Sequence, residues 1–471
     1  MRVTGGFNDF DFGYRLAPGE HLTTPRYYAG FTNGGFGEAS RLFRCLQIEE
    51  ILPDRAARHV RPVLYNSWEA TLFAVDEPGQ KALAEKVARL GVERFVMDDG
   101  WFGARDHDRA GLGDWTVNPK MFPNGLKPLI DNVESLGMDF GLWVEPEMVN
   151  PDSDLYRKRP AWALHFPGRP RSEGRNQLIL NLARPDVQEY VFGVLDRLLS
   201  EHDIRFFKWD MNRHFSEPRW PAVAPEEHKK VWVEYVRSVY ALMDRLKAAH
   251  PGVEIESCSG GGGRVDLGML ERVEEIWTSD NTEAFDRLRI QEGSSLAYAP
   301  KVMMAWVTDV PNMNGRVTPL RYRSLTAMQG SLGIGGNLNH WSDADNKLAA
   351  EMVAYYSASR RASRRGACTG CSRPAKTTRR STSTWRATGG RSSSSPAGIR
   401  STTCTPCRPS GCAASSRKPS TRLPHRAARR PPGRQAADPL RGGPDGARPH
   451  AGSSRRLRRD LGVARAYRIA E

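Results

Sequence analysis

The sequence of 471 residues predicts an α/β fold, a (β/α)8 TIM barrel, across residues 60–356. From residue 63 onward, short apolar runs alternate with amphipathic stretches, which is typical of parallel strands joined by crossover helices. Eight runs over about 290 residues match the usual size of a TIM barrel, whereas an open doubly wound sheet more often stops at about five or six strands. Most runs begin apolar and end polar, as expected where strand ends meet at a catalytic rim.

Eight predicted strands follow one another in this region. They are VLYNSWEA from 63, RFVMDDGWF from 94, DFGLWVEPEM from 139, QLILNLA from 177, IRFFKWDMN from 204, VEIESCSGGGG from 253, EEIWTSDN from 274 and KVMMAWVTD from 301. Apolar residues at helical spacing lie between them, from Leu83 to Leu90, from Val187 to Leu198 and in the stretch that starts at 231. The polar residues at the strand ends are Trp68 and Glu69, Asp98 and Asp99, Glu145 and Glu147, Lys208 and Asp210, Cys258, Asp280, and Asp309.

Charge and apolar content change abruptly near residue 357. The whole chain holds 69 Lys+Arg and 54 Asp+Glu, a net +15, which by itself suggests a nucleic-acid partner. Residues 357–471 hold 27 Lys+Arg and 4 Asp+Glu, a net charge of +23. Residues 1–356 therefore hold 42 Lys+Arg and 50 Asp+Glu, a net charge of −8. We therefore expect no nucleic-acid partner for the barrel.

Residues 357–471 are predicted to be a disordered, low-complexity tail. They contain seven Leu, Ile, Val, Phe or Met, too few to offset the chain entropy of folding. Their Arg-, Ser- and Pro-rich composition is typical of a GC-rich sequence read out of frame, and a genuine basic arm is the alternative. The pattern Cys368-x-x-Cys371 with Cys404-x-x-Cys407 resembles a zinc ribbon, but we interpret it as a chance product of this composition.

Residues 1–59 are rich in glycine, aromatic residues and turn signals, and they predict the last strands of a β domain whose earlier part is absent. Cys45 and Cys258 are the only cysteines before the tail, too few for a disulfide framework. No apolar signal core and no run of 18 apolar residues occur. These features predict a cytoplasmic protein without a membrane partner.

Asp210 and Asp280 are the candidate catalytic carboxylates. Asp210 ends the fifth predicted strand beside Lys208, and a carboxylate next to a cation stays ionised, as a nucleophile must. Asp280 ends the seventh, near Glu283 and Asp286, whose negative charges favour the protonated form that a general acid needs. A buried salt bridge at Asp210 and a helix N-cap at Asp280 are the alternatives. Two such carboxylates are the minimum for glycoside hydrolysis, with retention if they lie about 5 Å apart.

Other rim residues have the chemistry to bind a sugar. Asp98 and Asp99 offer acceptors for hydroxyl groups, without the neighbouring histidines of a metal site, and a solvated turn is the alternative. Trp68, Trp143 and Trp306 have flat apolar faces for a pyranose ring, or they pack the barrel. Arg175 is a candidate for bidentate hydrogen bonds to a sugar or a carboxylate, or lies at the surface. The glycines after Cys258, including Gly260 and Gly261, lack phosphate-loop spacing and favour close approach of the backbone to a ligand.

Together these motifs resemble those of the microbial α-galactosidases of glycoside hydrolase family 36, the melibiases. The resemblance rests on YNSWEAT, FVMDDGWF with LGDW, GLWVEPEMVNPDSDLY, GRNQLILNLA, KWDMNR, ESCSGGGGR and TSDNTEA, in this order within residues 1–356. It implies that Asp210 is the nucleophile and Asp280 the acid/base. It also implies a galactose pocket lined by Trp68, Asp98, Asp99, Trp143, Arg175, Lys208, Asn212, Cys258, Gly260 and Gly261.

The resemblance further implies retaining hydrolysis of α-galactosides such as melibiose and raffinose, without a cofactor or a metal, and homo-oligomers. Residues 1–59 are then the remnant of an N-terminal β-supersandwich domain, and residues 357–471 do not resemble the C-terminal β domain of the family. A galactosyl transferase of the raffinose-synthase type, or an impaired protein that only binds galactosides, is the alternative function.

Overall fold

The computed structural model describes residues 5–53, 59–367, 379–381 and 384–386. All of these belong to one structural unit, Met1–Ser392, and the second unit, Ser393–Glu471, lies outside the described residues. A closed barrel of eight parallel strands forms the centre of the first unit. In order around the barrel, the strands are β3 (Leu64–Asn66), β4 (Arg94–Met97), β5 (Asp139–Val144), β8 (Ile204–Trp209), β9 (Glu254–Ser257), β10 (Glu275–Trp277), β11 (Met303–Val307) and β12 (Ser331–Ile334). The predicted (β/α)8 barrel is confirmed.

Helices connect and cover these strands. They are α1 (Gly35–Leu46), α2 (Trp68–Thr71), α3 (Glu77–Ala88), α4 (Lys127–Ser135), α5 (Asp154–Lys158), α6 (Pro185–Glu201), α7 (Val231–Ala249), α8 (Leu267–Leu270), α9 (Ala284–Ala297), α10 (Leu320–Ala327) and α11 (Asp343–Ala367). Short 3-10 helices occupy Pro160–Trp162, Pro225–Lys230 and Pro300–Val302, and a π-helical turn, Gln47–Ile51, continues α1. The helices predicted from Val187 to Leu198 and from residue 231 are confirmed as α6 and α7.

Local sequence explains where several helices begin. The Asp76 side chain accepts a hydrogen bond from the Gly79 amide at the start of α3, and Asp266 accepts one from Met269 at the start of α8. Pro185 occupies the first position of α6, where a missing amide hydrogen costs nothing. The amphipathic helices that follow then pack their apolar stripes against the outer face of the barrel.

One predicted barrel strand is wrong. The run QLILNLA from 177 forms only β7 (Leu178–Ile179), which pairs antiparallel with β6 (Met148–Val149) outside the barrel. Its apolar residues are buried because this small two-stranded sheet packs into the hydrophobic core. Asp210 therefore follows the fourth barrel strand and Asp280 the sixth, although two strand positions still separate them around the rim.

The eighth barrel strand, β12, was not predicted. It pairs in parallel with β11 on one side and β3 on the other, and so closes the barrel. Gly333 within this strand faces Trp306, since a Cβ at Gly333 would lie 2.5 Å from the Trp306 ring. The glycine makes room for the indole, and it also weakens the strand signal in the sequence.

The inside of the barrel contains both apolar and charged side chains. Leu64, Val96, Phe206, Cys258, Trp277, Met304 and Trp306 form an apolar cluster there. Arg94 is buried and pairs with Glu254 at 2.8 Å and with Asp139 at 2.7 Å. The expectation that the strand beginnings are apolar is therefore wrong for β4 and β9, where ion pairs offset the cost of buried charge.

The flanking segments were only partly predicted. β1 (His21–Thr23) pairs with β14 (Thr384–Arg386), and β2 (Tyr27–Ala29) pairs with β13 (Arg379–Ser381). Helix α1, which follows β2, was not predicted from the sequence. The last barrel helix, α11, ends at Ala367, beyond the boundary expected at 356. Residues 357–367 of the predicted out-of-frame tail are thus helical, and β13 and β14 also belong to it. The rest of this tail and the Cys368–Cys407 pattern lie outside the described residues.

Candidate active site

Asp210 lies directly after β8, with its backbone fixed across the neighbouring strand. Its amide donates a hydrogen bond to the Val144 carbonyl at 2.8 Å. Oδ1 accepts a hydrogen bond from the Met211 amide at 2.9 Å, and Oδ2 accepts one from the Trp143 indole at 3.3 Å. These donors fix the orientation of the carboxylate. They hold both oxygens without using Lys208, so the buried salt bridge considered for Asp210 is not the arrangement found.

Asp280 follows β10, and its carboxyl is in a different environment. Oδ1 accepts a hydrogen bond from the Trp277 indole at 2.9 Å. Burial by the surrounding walls, followed by the negative charge of Asp210, raises the pKa of Asp280 even though the residue is open to solvent at the pocket mouth. The two carboxylates therefore interact electrostatically, and the raised pKa favours the protonated form of Asp280.

The neighbours expected to raise the pKa of Asp280 have other roles. Glu283 caps α9, accepting hydrogen bonds from the Phe285 and Asp286 amides, so Asp280 is not the N-cap. Glu283 and Asp286 both pair with Arg316. The direction of the predicted shift is confirmed, but burial and Asp210 cause it.

Lys208 forms the floor of the pocket with Asp98. Its Nζ lies 2.8 Å from Asp98 Oδ2, which also accepts a hydrogen bond from the Asn66 amide group at 2.7 Å. Burial by itself lowers the pKa of Lys208, but the negative groups around it, Asp98 first, raise it above its usual range. Lys208 is therefore a fixed cation.

Asp99 does not share this environment. Its carboxylate forms a bidentate ion pair with Arg105, whose Nη2 lies 2.7 Å from Oδ2 and whose Nε lies 3.0 Å from Oδ1. Arg105 in turn donates to Asn150 at 3.0 Å. Asp99 thus anchors the long loop after β4, and its contact with a sugar stays a prediction.

The three predicted tryptophans differ in how far their indole rings are buried. Trp143 is buried, stacks on Phe102 with ring centroids 6.1 Å apart, and presents its N–H to Asp210. Trp68 is partly buried, packs on the apolar cluster inside the barrel and meets Phe73 edge to face at 5.3 Å. Trp306 lies against Trp277 with centroids 4.0 Å apart. Trp68 therefore has the most open indole of these three.

The glycine-rich loop after Cys258 is held against both catalytic candidates. The Asn212 side chain accepts a hydrogen bond from the Gly260 amide at 3.0 Å. Gly261 has φ +90°, and a Cβ there would lie 2.8 Å from the Cα of Ser279 and 3.0 Å from the amide of Asp280. The close approach made by Gly261 is thus to the backbone of the Asp280 loop, and contact with a ligand stays a prediction.

Cys258 and Arg175 complete the predicted set. Cys258 is a buried free thiol, and burial, reinforced by Asp210, raises its pKa. Arg175 is exposed in the loop before β7, with φ +50°. Its positive charge favours ionised Asp280 and opposes the stronger effects of burial and Asp210 on that pKa. Arg175 therefore lies close enough to Asp280 to act on it electrostatically.

Two buried carboxyl groups lie near Asp210, those of Glu145 and Glu147, and the sequence marks them only as polar residues at a strand end. Glu145 accepts hydrogen bonds from the Asn212 amide at 2.5 Å and from Gln177 at 2.9 Å, and burial followed by Asp210 raises its pKa to about 8. Glu147 accepts from Trp209 and Tyr235. Their position at a strand end was the only sequence signal, and it did not reveal these partners.

Two further findings concern the described ranges alone. No cluster of three or more His, Cys, Asp or Glu side chains in residues 5–53 and 59–367 is arranged to hold a metal ion. Within that same part of the chain, every helix is too short or too polar to cross a membrane.

The fold and the site together define a (β/α)8-barrel protein with two carboxyl groups, Asp210 and Asp280, that interact electrostatically at the carboxyl ends of its strands. Many glycoside hydrolases are barrels of this kind with two carboxyl groups in the active site. The sequence model of the melibiase family matches residues 21–366. The chain belongs to the melibiase family.

Individual relatives agree with this assignment. Alpha-galactosidase AgaA of Geobacillus stearothermophilus is 44% identical over 361 residues, which cover 76% of this chain and 50% of the relative. Alpha-galactosidase C of Emericella nidulans is 45% identical over 346 residues, 71% of this chain and 45% of the relative. The crystal structure of AgaA in complex with stachyose matches with a TM-score of 0.74 at 43% identity, over 76% of this chain and 50% of that one. The chain spans about half the length of these relatives.

Proposed function

We propose that this barrel hydrolyses terminal, non-reducing α-D-galactose residues of oligosaccharides of the melibiose and raffinose type, with retention of configuration. Membership of the melibiase family supports the substrate class, as do the stachyose and raffinose complexes of the AgaA relative.

The proposed mechanism is a double displacement. Asp210 attacks the anomeric carbon while Asp280 gives its proton to the glycosidic oxygen, and the leaving group departs from a covalent β-galactosyl enzyme. Asp280, now a base, takes a proton from water. The water oxygen then displaces Asp210 and releases α-galactose.

The contrast between the environments of Asp210 and Asp280 carries the proposal. Asp210 receives hydrogen bonds on both oxygens from Met211 and Trp143, which hold the carboxylate in a fixed orientation for attack. Burial and the nearby charge of Asp210 raise the pKa of Asp280, which suits an acid that holds its proton until the glycosidic bond breaks. A carboxylate pair with separated proton affinities is the usual device for this chemistry.

The floor of the pocket supports recognition of a galactose ring. The Lys208–Asp98 ion pair supplies fixed donors and acceptors in a buried place, where hydrogen bonds to sugar hydroxyls are strong. Trp68 offers an apolar face beside it. Asp99, Arg175, Asn212, Cys258, Gly260 and Gly261 remain proposed binding residues.

Proton NMR of the first product tests the mechanism. The purified chain is mixed with raffinose, and the anomeric signal of the released galactose is followed before mutarotation. The α-anomer is expected first. Initial release of β-galactose would contradict retention, and no release from raffinose, melibiose or a nitrophenyl α-galactoside would contradict hydrolysis.

The transferase alternative is tested in a second tube, with 4-nitrophenyl α-D-galactoside as the donor and sucrose as the acceptor. If transfer dominates, galactosyl-sucrose signals appear at the expense of free galactose, while nitrophenol is released in either case. A protein that only binds galactosides would give neither product, while raffinose would still raise its melting temperature. The proposed reaction needs no cofactor. A cytoplasmic location remains an expectation from the sequence, and homo-oligomers remain an expectation from the family.

A further inference from the structure

Arg287 is a buried cation behind the acid/base, and the proposed mechanism gives it no role. It lies in the first turn of α9 and is 2% exposed. Within the described ranges, no carboxylate pairs with it at ion-pair distance. An isolated buried charge is costly, so its contacts need a reason.

Those contacts converge on the loop that carries Asp280. Nη1 donates to the Ser279 carbonyl at 3.0 Å, one residue before Asp280, and Nη2 donates to the Met304 carbonyl in β11 at 2.7 Å. The guanidinium thus joins the end of β10 to the next strand. Nε donates to Gln291 at 3.2 Å, which fixes the rotation of the group.

The same guanidinium also lies over the indole that contacts the acid/base. Its central carbon is 5.0 Å from the centroid of the Trp277 ring, and the Trp277 N–H donates to Asp280 Oδ1 at 2.9 Å. A cation on the ring face draws electron density from the indole and makes its N–H a stronger donor. A stronger donor favours the ionised form of the carboxyl that it contacts.

We propose that Arg287 is a positioning residue for the acid/base, which fixes the orientation of Asp280 through the Ser279 carbonyl and the Trp277 indole. The inference rests on the proposed function, because only an acid/base needs this alignment with the leaving-group oxygen. The charged or titratable groups that act on Asp280 and Arg287 are Asp210, Lys208, Arg175, Glu256, Glu69 and Cys258.

The test compares two substrates that differ in their need for an acid. In 4-nitrophenyl α-D-galactoside the leaving phenolate is stable without a proton, whereas raffinose expels a sugar alkoxide that needs one. For Arg287→Gln, kcat/KM on raffinose should fall about 10- to 100-fold, within the range of general-acid contributions, and the nitrophenyl value by less than about 3-fold. Loss of the cation should also raise the pKa of Asp280. In a plot of kcat/KM on raffinose against pH, the alkaline limb should therefore move to higher pH.

Two further variants control for trivial effects. Arg289→Gln removes an exposed arginine from the same helix and should leave both substrates unchanged. Arg287→Lys keeps the charge but loses the double carbonyl contact, so the substrate ratio should change while the alkaline limb stays close to its original pH. Melting temperatures check that each variant is folded, and Arg287→Lys carries the substrate test if Arg287→Gln does not fold.

If Arg287→Gln lowers kcat/KM equally on both substrates and leaves the alkaline limb of the pH profile in place, Arg287 has only a structural role. That result would overturn the inference. If the unaltered chain turns over neither substrate, the proposed function itself fails, and the inference fails with it. An active chain with an unchanged substrate ratio in Arg287→Gln refutes the inference alone.

Discussion

Lys208 Nζ lies 2.8 Å from Asp98 Oδ2, in a buried ion pair that links β8 to the end of β4 beneath the two catalytic candidates. The side chains are 6% and 2% exposed, so solvent screens their attraction very little. Removing one partner leaves the other as an uncompensated buried charge, and this asymmetry gives the first prediction.

Asp98→Asn and Lys208→Met should each lower the free energy of unfolding by about 3 to 5 kcal/mol, while the double variant should lose clearly less than the sum. Urea unfolding of the four proteins measures this coupling. Strictly additive losses would mean that the pair contributes nothing as a pair.

Azide should distinguish the roles of Asp210 and Asp280 by the anomer of its product. Asp210→Gly and Asp280→Ala should each lower turnover of 4-nitrophenyl α-galactoside, the first by at least about 1,000-fold. With azide, the Asp210 variant should form β-galactosyl azide by direct attack, and the Asp280 variant α-galactosyl azide from the covalent intermediate. NMR identifies the anomers, and Asp343→Asn, at an exposed position, is the control. Identical anomers from both variants would refute the assigned roles.

Gly261→Ala should disturb the Asp280 loop. The new methyl group would lie 2.8 Å from the Cα of Ser279, at a φ of +90° that itself costs an L-residue about 1 kcal/mol. We expect a loss of stability of about 2 to 4 kcal/mol and a larger loss of kcat/KM on raffinose than on the nitrophenyl substrate.

Gly137→Ala is the matched control for Gly261→Ala, because φ is +81° there and no atom lies within 4 Å of its Cβ position. It should cost about 1 kcal/mol without altering catalysis. Similar effects of the two substitutions would show that the loop tolerates the methyl group.

Glu256 should make stability fall as pH rises. Its carboxyl is buried inside the barrel, neither oxygen has a hydrogen-bond partner among the described residues, and burial raises its pKa from 4.5 to about 8 against the opposing charge of Lys208. The folded state then holds a proton that the unfolded chain has released. Its contribution is complete below pH 4.5 and is lost as pH rises through about 8.

Glu256→Gln removes this proton and should flatten the decline between about pH 5 and pH 8, a change of a few kcal/mol at about 1.4 kcal/mol per unit. The slope of the unfolding free energy against pH is the measurement, since it is insensitive to any constant cost of the amide. An unchanged slope would contradict a protonated Glu256 in the folded chain.

The sequence determined the barrel because strand and helix periodicities are local properties of the chain. It also placed Asp210 and Asp280 at strand ends, and the order of motifs around them identified the family. It failed for QLILNLA, since an apolar run has the same pattern whether it pairs inside the barrel or in a small buried sheet outside it. It missed β12, where Gly333 gives up strand propensity to make room for Trp306.

The tertiary structure alone decided which charged group meets which. Lys208 lies two residues before Asp210 in the chain, yet it pairs with Asp98 at the end of another strand. The raised pKa of Asp280 comes from burial and from Asp210. The acidic residues that follow Asp280 in sequence, Glu283 and Asp286, pair instead with Arg316. Sequence spacing fixes which side chains reach the rim, because alternation along a strand is set by the backbone. Their partners and proton affinities depend on distances and burial across the barrel, which exist only once the eight strands have closed.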